Sequence, residues 1–263
     1  EVIPEIDVPS HATHVLNHHP ELACAIADGE ASDRTLCIGR DATREFVATL
    51  VDEIAALFPA DVIHIGGDEW MIDHSWDDCR VCQQRMEADG LENLYEHFYS
   101  FLRDVNDVVS EHNCRMMIWN DEVDIAASPD LPRDILVQFW RIAGENRGPV
   151  EGCSLERFLE EGFEVVSSYV HAAYINRWTD EDYLVGWSPT RRPSVPDEYA
   201  AQVRGGELLA WEPSSPEERA YFRRPLRPAT LAGAGRLWGE RGVAHPDRFP
   251  VGWTARGLGR PVA

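Results

Sequence analysis

His64-Ile65-Gly66-Gly67-Asp68-Glu69-Trp70 is the stretch on which the reading of this chain turns. An apolar run, Val62-Ile63-His64-Ile65, ends in two glycines, and two adjacent carboxylates follow at once. Within a regular strand, neighbouring side chains point to opposite faces. Two glycines free the backbone to bend, so that both carboxylates turn into one pocket. Close carboxylates resist simultaneous ionisation, and one of them then holds a proton near neutral pH. An acid catalyst and its charged helper need that division of labour. A bare Gly-Gly-Asp-Glu is also an ordinary solvated loop, so the surroundings decide between the two.

Outward from that stretch the chain alternates between short apolar runs and longer amphipathic ones. Strands are predicted over 2–6, 62–65, 115–119, 136–140, 164–168 and 208–211. Helices are predicted over 41–57, with Phe46, Leu50, Ile54 and Leu57 as its apolar face, and over 94–112, through Phe98, Phe101, Leu102 and Val105. Two further helices are expected over 155–161 and 225–237, and the Pro-rich stretch 188–196 reads as a long loop. Strands separated by helices imply a parallel α/β sheet, open or closed. Each strand runs out into polar or aromatic residues: Glu5 and Asp7, Asp68 and Glu69, Asn120 to Glu122, Trp140 with Arg141, Tyr174 with Asn176, and Trp211 with Glu212. A (β/α)8 TIM barrel gathers all its strand C-termini at one mouth, where active sites are built, so the closed form is favoured. Six strands are two short of eight.

The 263 residues carry 46 acidic and 24 basic side chains, all 24 of them Arg, for a formal net charge of −22. Such a balance repels nucleic acid and anionic membranes, so neither is an expected partner. It suits a protein kept hydrated in high salt, or equally a genome that writes Arg in place of Lys. There is no run of about 18 apolar residues to span a membrane. The chain opens on Glu1 with no initiator Met, which reads as the interior of a longer protein and leaves location open. Six cysteines stand at 24, 37, 79, 82, 114 and 153. Cys79-x-x-Cys82 is the only close pair; a tetrahedral zinc site needs two more ligands, and none is evident nearby, so neither metal nor cofactor is expected. Cys24 and Cys37 are candidates for a disulfide if the protein is exported.

His64 to Glu69 resembles the H-x-G-G-D-E signature of glycoside hydrolase family 20, the β-N-acetylhexosaminidases, which lies at the end of the fourth barrel strand. The resemblance runs through the chain in order. EVIPEIDVPSHA at 1–12 is similar to the third strand and its V-I-P-E-I-D-x-P-G-H motif, with Ser10 in place of Gly. WDDCRVCQQR at 76–85 resembles a W-x-x-C-x-x-C-Q-x-R segment, MMIWNDE the fifth strand, ILVQFWR the sixth, AAYIN the Y-L-D after the seventh, and LLAWEP the W-G-E of the eighth. Position 1 thereby corresponds to strand three. One N-terminally truncated barrel domain over 1–263 is expected, holding strands three to eight.

The resemblance implies hydrolysis of a terminal N-acetyl-β-hexosamine from an oligosaccharide or glycoconjugate. Glu69 is the implied general acid and base. Asp68 is implied to orient the acetamido group, which itself attacks the anomeric carbon. Tyr174 is implied to donate to the acetamido carbonyl, with core packing as its alternative. Trp119, Trp140 and Trp211 would wall the sugar pocket, Glu212 would bind the outer hydroxyls, and His11 would support the acid. Asn176 stands where the family has an Asp on those hydroxyls. The family's substrate-binding Arg and the Asp partner of its histidine fall on strands one and two, before position 1. Three alternatives stay open: a lacto-N-biosidase-like enzyme releasing a disaccharide, a carbohydrate-binding pseudo-enzyme, and a metal-dependent hydrolase using His64 and Asp68. Oligomeric state is not legible.

Overall fold

The computed structural model describes residues 2–25, 30–70, 78–125, 130–141, 154–174, 186–191 and 193–211, and single positions at 216, 230, 233, 234 and 237. The chain divides into two compact units, 1–165 and 166–263.

In the first unit, strand β1 (Glu5–Val8) pairs in parallel with β4 (Val62–Gly66), β4 with β5 (Arg115–Trp119), and β5 with β6 (Leu136–Phe139). The register places Val8 beside Gly66, His64 beside Met117, and Trp119 beside Gln138. With the strands parallel and so aligned, the segments after β1, β4, β5 and β6 all leave the sheet at one edge. That edge is where the polar residues of the sequence fall.

Helices α2 (Asp41–Leu57) and α4 (Leu94–Glu111) pack on one another, and α4 also lies against β5. In α4 the predicted face is the buried one: Phe98, Phe101, Leu102, Val105 and Val109 recur at helical spacing and all lie in the core. Its start is fixed by Asn93, whose side chain accepts from the Glu96 N–H at 3.0 Å. In α2 the expected face is corrected. Thr43, Val47 and Val51 are buried, whereas Phe46, Leu50 and Ile54 flank them half-buried and Leu57 is 72% exposed. The narrow β-branched stripe lets α2 approach its neighbours closely, and the larger side chains spread over its flanks. Phe46 there lies 5.0 Å from the His19 ring.

Several elements were not expected. Helix α1 (Thr13–His18) follows β1, and a two-stranded antiparallel hairpin, β2 (Ala23–Ala25) and β3 (Ala31–Leu36), comes before α2. Helix α3 (Arg80–Asp89) begins at Cys79 and ends on Gly90, whose φ of 70° is a left-handed cap. The hairpin is tied to the segment after β1 by the Leu36 N–H on the Pro9 carbonyl and the Ala12 N–H on the Arg34 carbonyl, both at 2.8 Å. Helix α5 (Leu155–Glu160) is capped by Ser154 and leads to β7 (Glu164–Ser167), inside which the division between the units falls.

In the second unit, a short helix α6 (Val170–Ala173) follows β7, and β8 runs Val203–Gly206. The last strand was expected over 208–211. Instead it pairs earlier, and Leu209 makes a single parallel bridge to Tyr174. The Leu209 N–H reaches the Ala173 carbonyl at 2.7 Å. The helix expected over 225–237 lies almost wholly outside the described residues. No described helix is long and apolar enough to cross a membrane.

Candidate active site

The turn after β4 is built by backbone that few residues tolerate. Gly66 and Gly67 have φ of 73° and 85°, and Glu69 follows at 51°. A Cβ on Gly66 would stand 1.9 Å from Asp7 Oδ1 and 2.8 Å from Asp7 Cα, so β1 and β4 approach here only because Gly66 has no side chain. Gly67 lies over Phe98 and Ile118. This geometry turns Asp68 and Glu69 toward the segment after β1. There His11 Nε2 lies 3.5 Å from Asp68 Oδ2 and 3.4 Å from Glu69 Oε2. Ser10 Oγ donates to the Glu69 carbonyl at 3.4 Å. Arg34, carried in by the hairpin, places Nη2 3.7 Å from Glu69 Oε2 and 3.4 Å from His11 Nε2.

Charge at this corner is distributed unevenly. Hydrogen bonds to Asp68 and Glu69 raise His11 to about 10, against the cost of its burial, so the ring is an imidazolium at neutral pH. It donates to the carboxylates. Its contact with the Arg34 guanidinium is therefore between two donors, tolerated because two carboxylates outweigh one cation. Asp7 is raised to about 9, first by burial and then by the Asp68 charge beside it. Asp68 Oδ1 is buried with no hydrogen-bond partner, while the Glu69 side chain keeps 28% of its exposure. A buried carboxylate oxygen without a donor is costly, and a ligand N–H would satisfy it.

The floor beneath Glu69 comes from the end of β5. Asp121 Oδ2 accepts the Glu69 N–H at 3.1 Å and the Arg141 guanidinium at 3.0 Å, and Asp121 Oδ1 accepts the Trp140 indole N–H at 2.9 Å. Burial and then the Asp68 charge push Asp121 up to about 7 despite Arg141. Glu122 is raised to about 9 by burial and by Asp121. Asn120 Oδ1 accepts the Trp140 N–H at 2.8 Å, fixing the chain end of β6 against that of β5. Arg141 lies over the Trp140 ring, 4.6 Å from its centroid.

Asp68, Glu69, His11, Trp119 and Trp140 thus converge within the first unit. Trp119 is almost fully buried, donating to Glu5 Oε1 at 2.9 Å with its ring 5.0 Å from that of His64. Tyr174 and Trp211 adjoin one another in the second unit, with ring centroids 5.7 Å apart. Asn176 and Glu212 lie outside the described residues. Asp7, Arg34, Asp121, Glu122 and Arg141 were not singled out for the site. Four of them do carry a signal in the sequence, as polar residues just past or at the end of an apolar strand. Arg34 carries none, because its hairpin has no alternation to mark it.

Among the described residues, two groups of side chains converge as metal ligands do: Asp7 with His11 and Asp68, and Cys24, Cys37, Cys79 and Cys82. The second corrects the expectation that Cys79 and Cys82 lack two further ligands. The fold brings Cys24 and Cys37 to them across the hairpin. All four are free thiols, so the Cys24–Cys37 disulfide considered for an exported protein is not formed. His64 belongs to neither group. Burial lowers it to about 4, and its Nδ1 accepts the Gly66 N–H at 2.9 Å, so it is a neutral ring bracing the turn, and its 3.4 Å approach to Glu5 is no ion pair.

The catalytic-domain profile of glycosyl hydrolase family 20 matches residues 1–243. A β-hexosaminidase of Porphyromonas gingivalis is 35% identical over 154 residues, covering 56% of this chain and 19% of that protein. A lacto-N-biosidase of Bifidobacterium bifidum is 28% identical over 223 residues, covering 82% of this chain and 20% of its own. A chitobiase of Flavobacterium johnsoniae superposes with a TM-score of 0.74 at 28% identity, over 92% of this chain and 36% of that one. The chain therefore spans about a fifth to just over a third of these relatives' lengths. Its parallel strands and helices are part of a (β/α)8 barrel, and the chain belongs to glycoside hydrolase family 20.

Proposed function

We propose that the protein removes terminal non-reducing N-acetyl-β-hexosamine from glycans by substrate-assisted catalysis with retention. The observation that carries this reading is the pairing of a partly exposed Glu69 with Asp68, whose buried Oδ1 has no donor. Most retaining glycosidases supply a carboxylate nucleophile. Here the 2-acetamido oxygen attacks the anomeric carbon while the Glu69 carboxyl gives its proton to the departing glycosidic oxygen. The acetamide becomes an oxazolinium, and its N–H, now more acidic, donates to Asp68 Oδ1. Glu69, left as a carboxylate, then takes a proton from water. That water opens the oxazolinium at the anomeric carbon and restores the acetamide.

The neutral Asp7 and the cationic His11 keep Asp68 an acceptor poised for developing positive charge. Trp119, Trp140 and Trp211 wall the sugar, Tyr174 donates to the acetamido oxygen, and Glu212 with Asn176 binds the outer hydroxyls. Those roles rest on the family resemblance, as does the reading of 1–263 as one barrel-type domain.

A second reading, release of a disaccharide, is favoured by the likeness to the lacto-N-biosidase over 82% of this chain. Assays of the intact polypeptide on aryl β-N-acetylglucosaminide, aryl β-glucoside and an aryl disaccharide ending in N-acetylglucosamine separate the readings. Cleavage of the first alone supports the proposal. Cleavage of the disaccharide alone supports the second reading, and equal cleavage of glucoside contradicts both.

A further inference from the structure

The sulfurs of Cys24, Cys37, Cys79 and Cys82 all lie within 4.8 Å of one another, and all four residues are fully buried. The Cys24–Cys82, Cys37–Cys82 and Cys37–Cys79 separations are 3.8, 3.7 and 3.6 Å. A disulfide needs about 2.05 Å between its sulfurs. Four thiolates at about 2.3 Å from a tetrahedral zinc stand about 3.8 Å apart along each edge. The observed separations are those of the second arrangement.

Independent features of the backbone fit the same arrangement. Cys37 is followed at Gly39 by a position where a Cβ would lie 2.8 Å from Cys82 Cα and 2.9 Å from the Val81 carbonyl, so the two cysteine-bearing turns meet only because Gly39 is bare. Each turn is closed by its own backbone, the Arg40 N–H on the Cys37 carbonyl at 3.1 Å and the Gln83 N–H on the Cys79 carbonyl at 3.0 Å. Cys79 is the N-cap of the ten-residue α3, and Cys82 lies in its first turn, so both are fixed by one helix start.

We propose that Cys24, Cys37, Cys79 and Cys82 bind one zinc ion as a closed structural site. Binding replaces four thiol protons by one divalent cation, so four protons leave for each zinc taken up. With four protein ligands no position is open for water or substrate, and the ion takes no part in glycoside chemistry. Its work is to join two segments remote in sequence. One follows β1 and carries His11 and Arg34; the other follows β4 and carries Asp68 and Glu69. The site therefore holds the two halves of the catalytic corner in register.

The test is metal analysis of the intact chain, produced without a metal-affinity tag and kept reduced, followed by cobalt substitution. About one zinc per chain, released in step with mercurial titration of four thiols, is expected. Cobalt should give intense visible d–d bands and a near-ultraviolet sulfur-to-metal charge-transfer band. Cys37→Ser with Cys82→Ser should lose both zinc and spectrum. Gly39→Ala keeps every thiol and should weaken zinc retention against a competing chelator at least tenfold. All six thiols titrating freely without metal, two disulfides by mass, stoichiometric iron, or zinc retained in the double variant would each overturn the assignment. The cobalt spectrum of the unaltered chain decides the matter even where the double variant does not fold.

Discussion

The acid at position 69 and the carboxylate at 68 do different work, and single substitutions separate them. Glu69→Gln should lower kcat on N-acetyl substrates by about 10²- to 10⁴-fold with little change in KM, since a positioned proton donor acts in the transition state. Asp7 is a subtler case. Its folded value of about 9 lies far above the ordinary 3.8, so the folded state binds its proton more tightly than the unfolded one. The stability this contributes is full below pH 3.8 and is lost as pH rises through about 9. His11, raised from 6.5 to about 10, has the same sign over a higher window. Denaturant unfolding should therefore show stability falling between neutral pH and 10, and Asp7→Asn, which keeps a donor toward Asp68, should flatten the lower part of that fall. A stability independent of pH in both proteins would refute the arrangement. The Asp68-Glu69 pair was legible as adjacent carboxylates after two glycines. The neutral state of Asp7 was not, because it arises from burial against β4, a contact 59 residues away in sequence.

At the scale of elements, the central strands and the two long helices were readable because their apolar periods are long and unbroken. β5 at Arg115–Trp119 and α2 at Asp41–Leu57 have the bounds the sequence predicts. The hairpin, α1 and α3 were not readable. The hairpin's strands are three and six residues long without alternation, and α3 is held by thiol contacts and a glycine cap rather than by an apolar face. The rotated face of α2 has a measurable consequence. Leu57→Ala should change stability by less than about 0.5 kcal/mol, as for an exposed site. Phe98→Ala in α4 should cost about 3–5 kcal/mol in chemical denaturation. Phe98 is fully buried, stacked 4.7 Å from the Trp70 ring and set under Gly67, so the same change should also lower kcat by slackening the catalytic turn.

The whole molecule carries a charge of −22 in 263 residues, with every basic side chain an Arg. Exposed like charges repel over roughly 10 Å at 0.1 M salt and about 3 Å at 1 M. The melting temperature should accordingly rise as sodium chloride is raised from low concentration toward about 1 M, and a flat or falling curve would show that local ion pairs, such as Arg115 with Glu164, already offset the repulsion. Composition alone reveals this property, as it needs no coordinates.

Participation of the acetamido group is most directly measured by the rates on aryl glycosides bearing N-acetyl, N-fluoroacetyl and N-trifluoroacetyl groups. Each fluorine withdraws electrons from the carbonyl oxygen that is proposed to attack. The account predicts kcat/KM falling steeply along the series, by more than tenfold from N-acetyl to N-trifluoroacetyl, with no cleavage of the parent glucoside. Equal rates along the series, or comparable hydrolysis of the glucoside, would mean that the substrate does not supply its own nucleophile and that Asp68 has a different task.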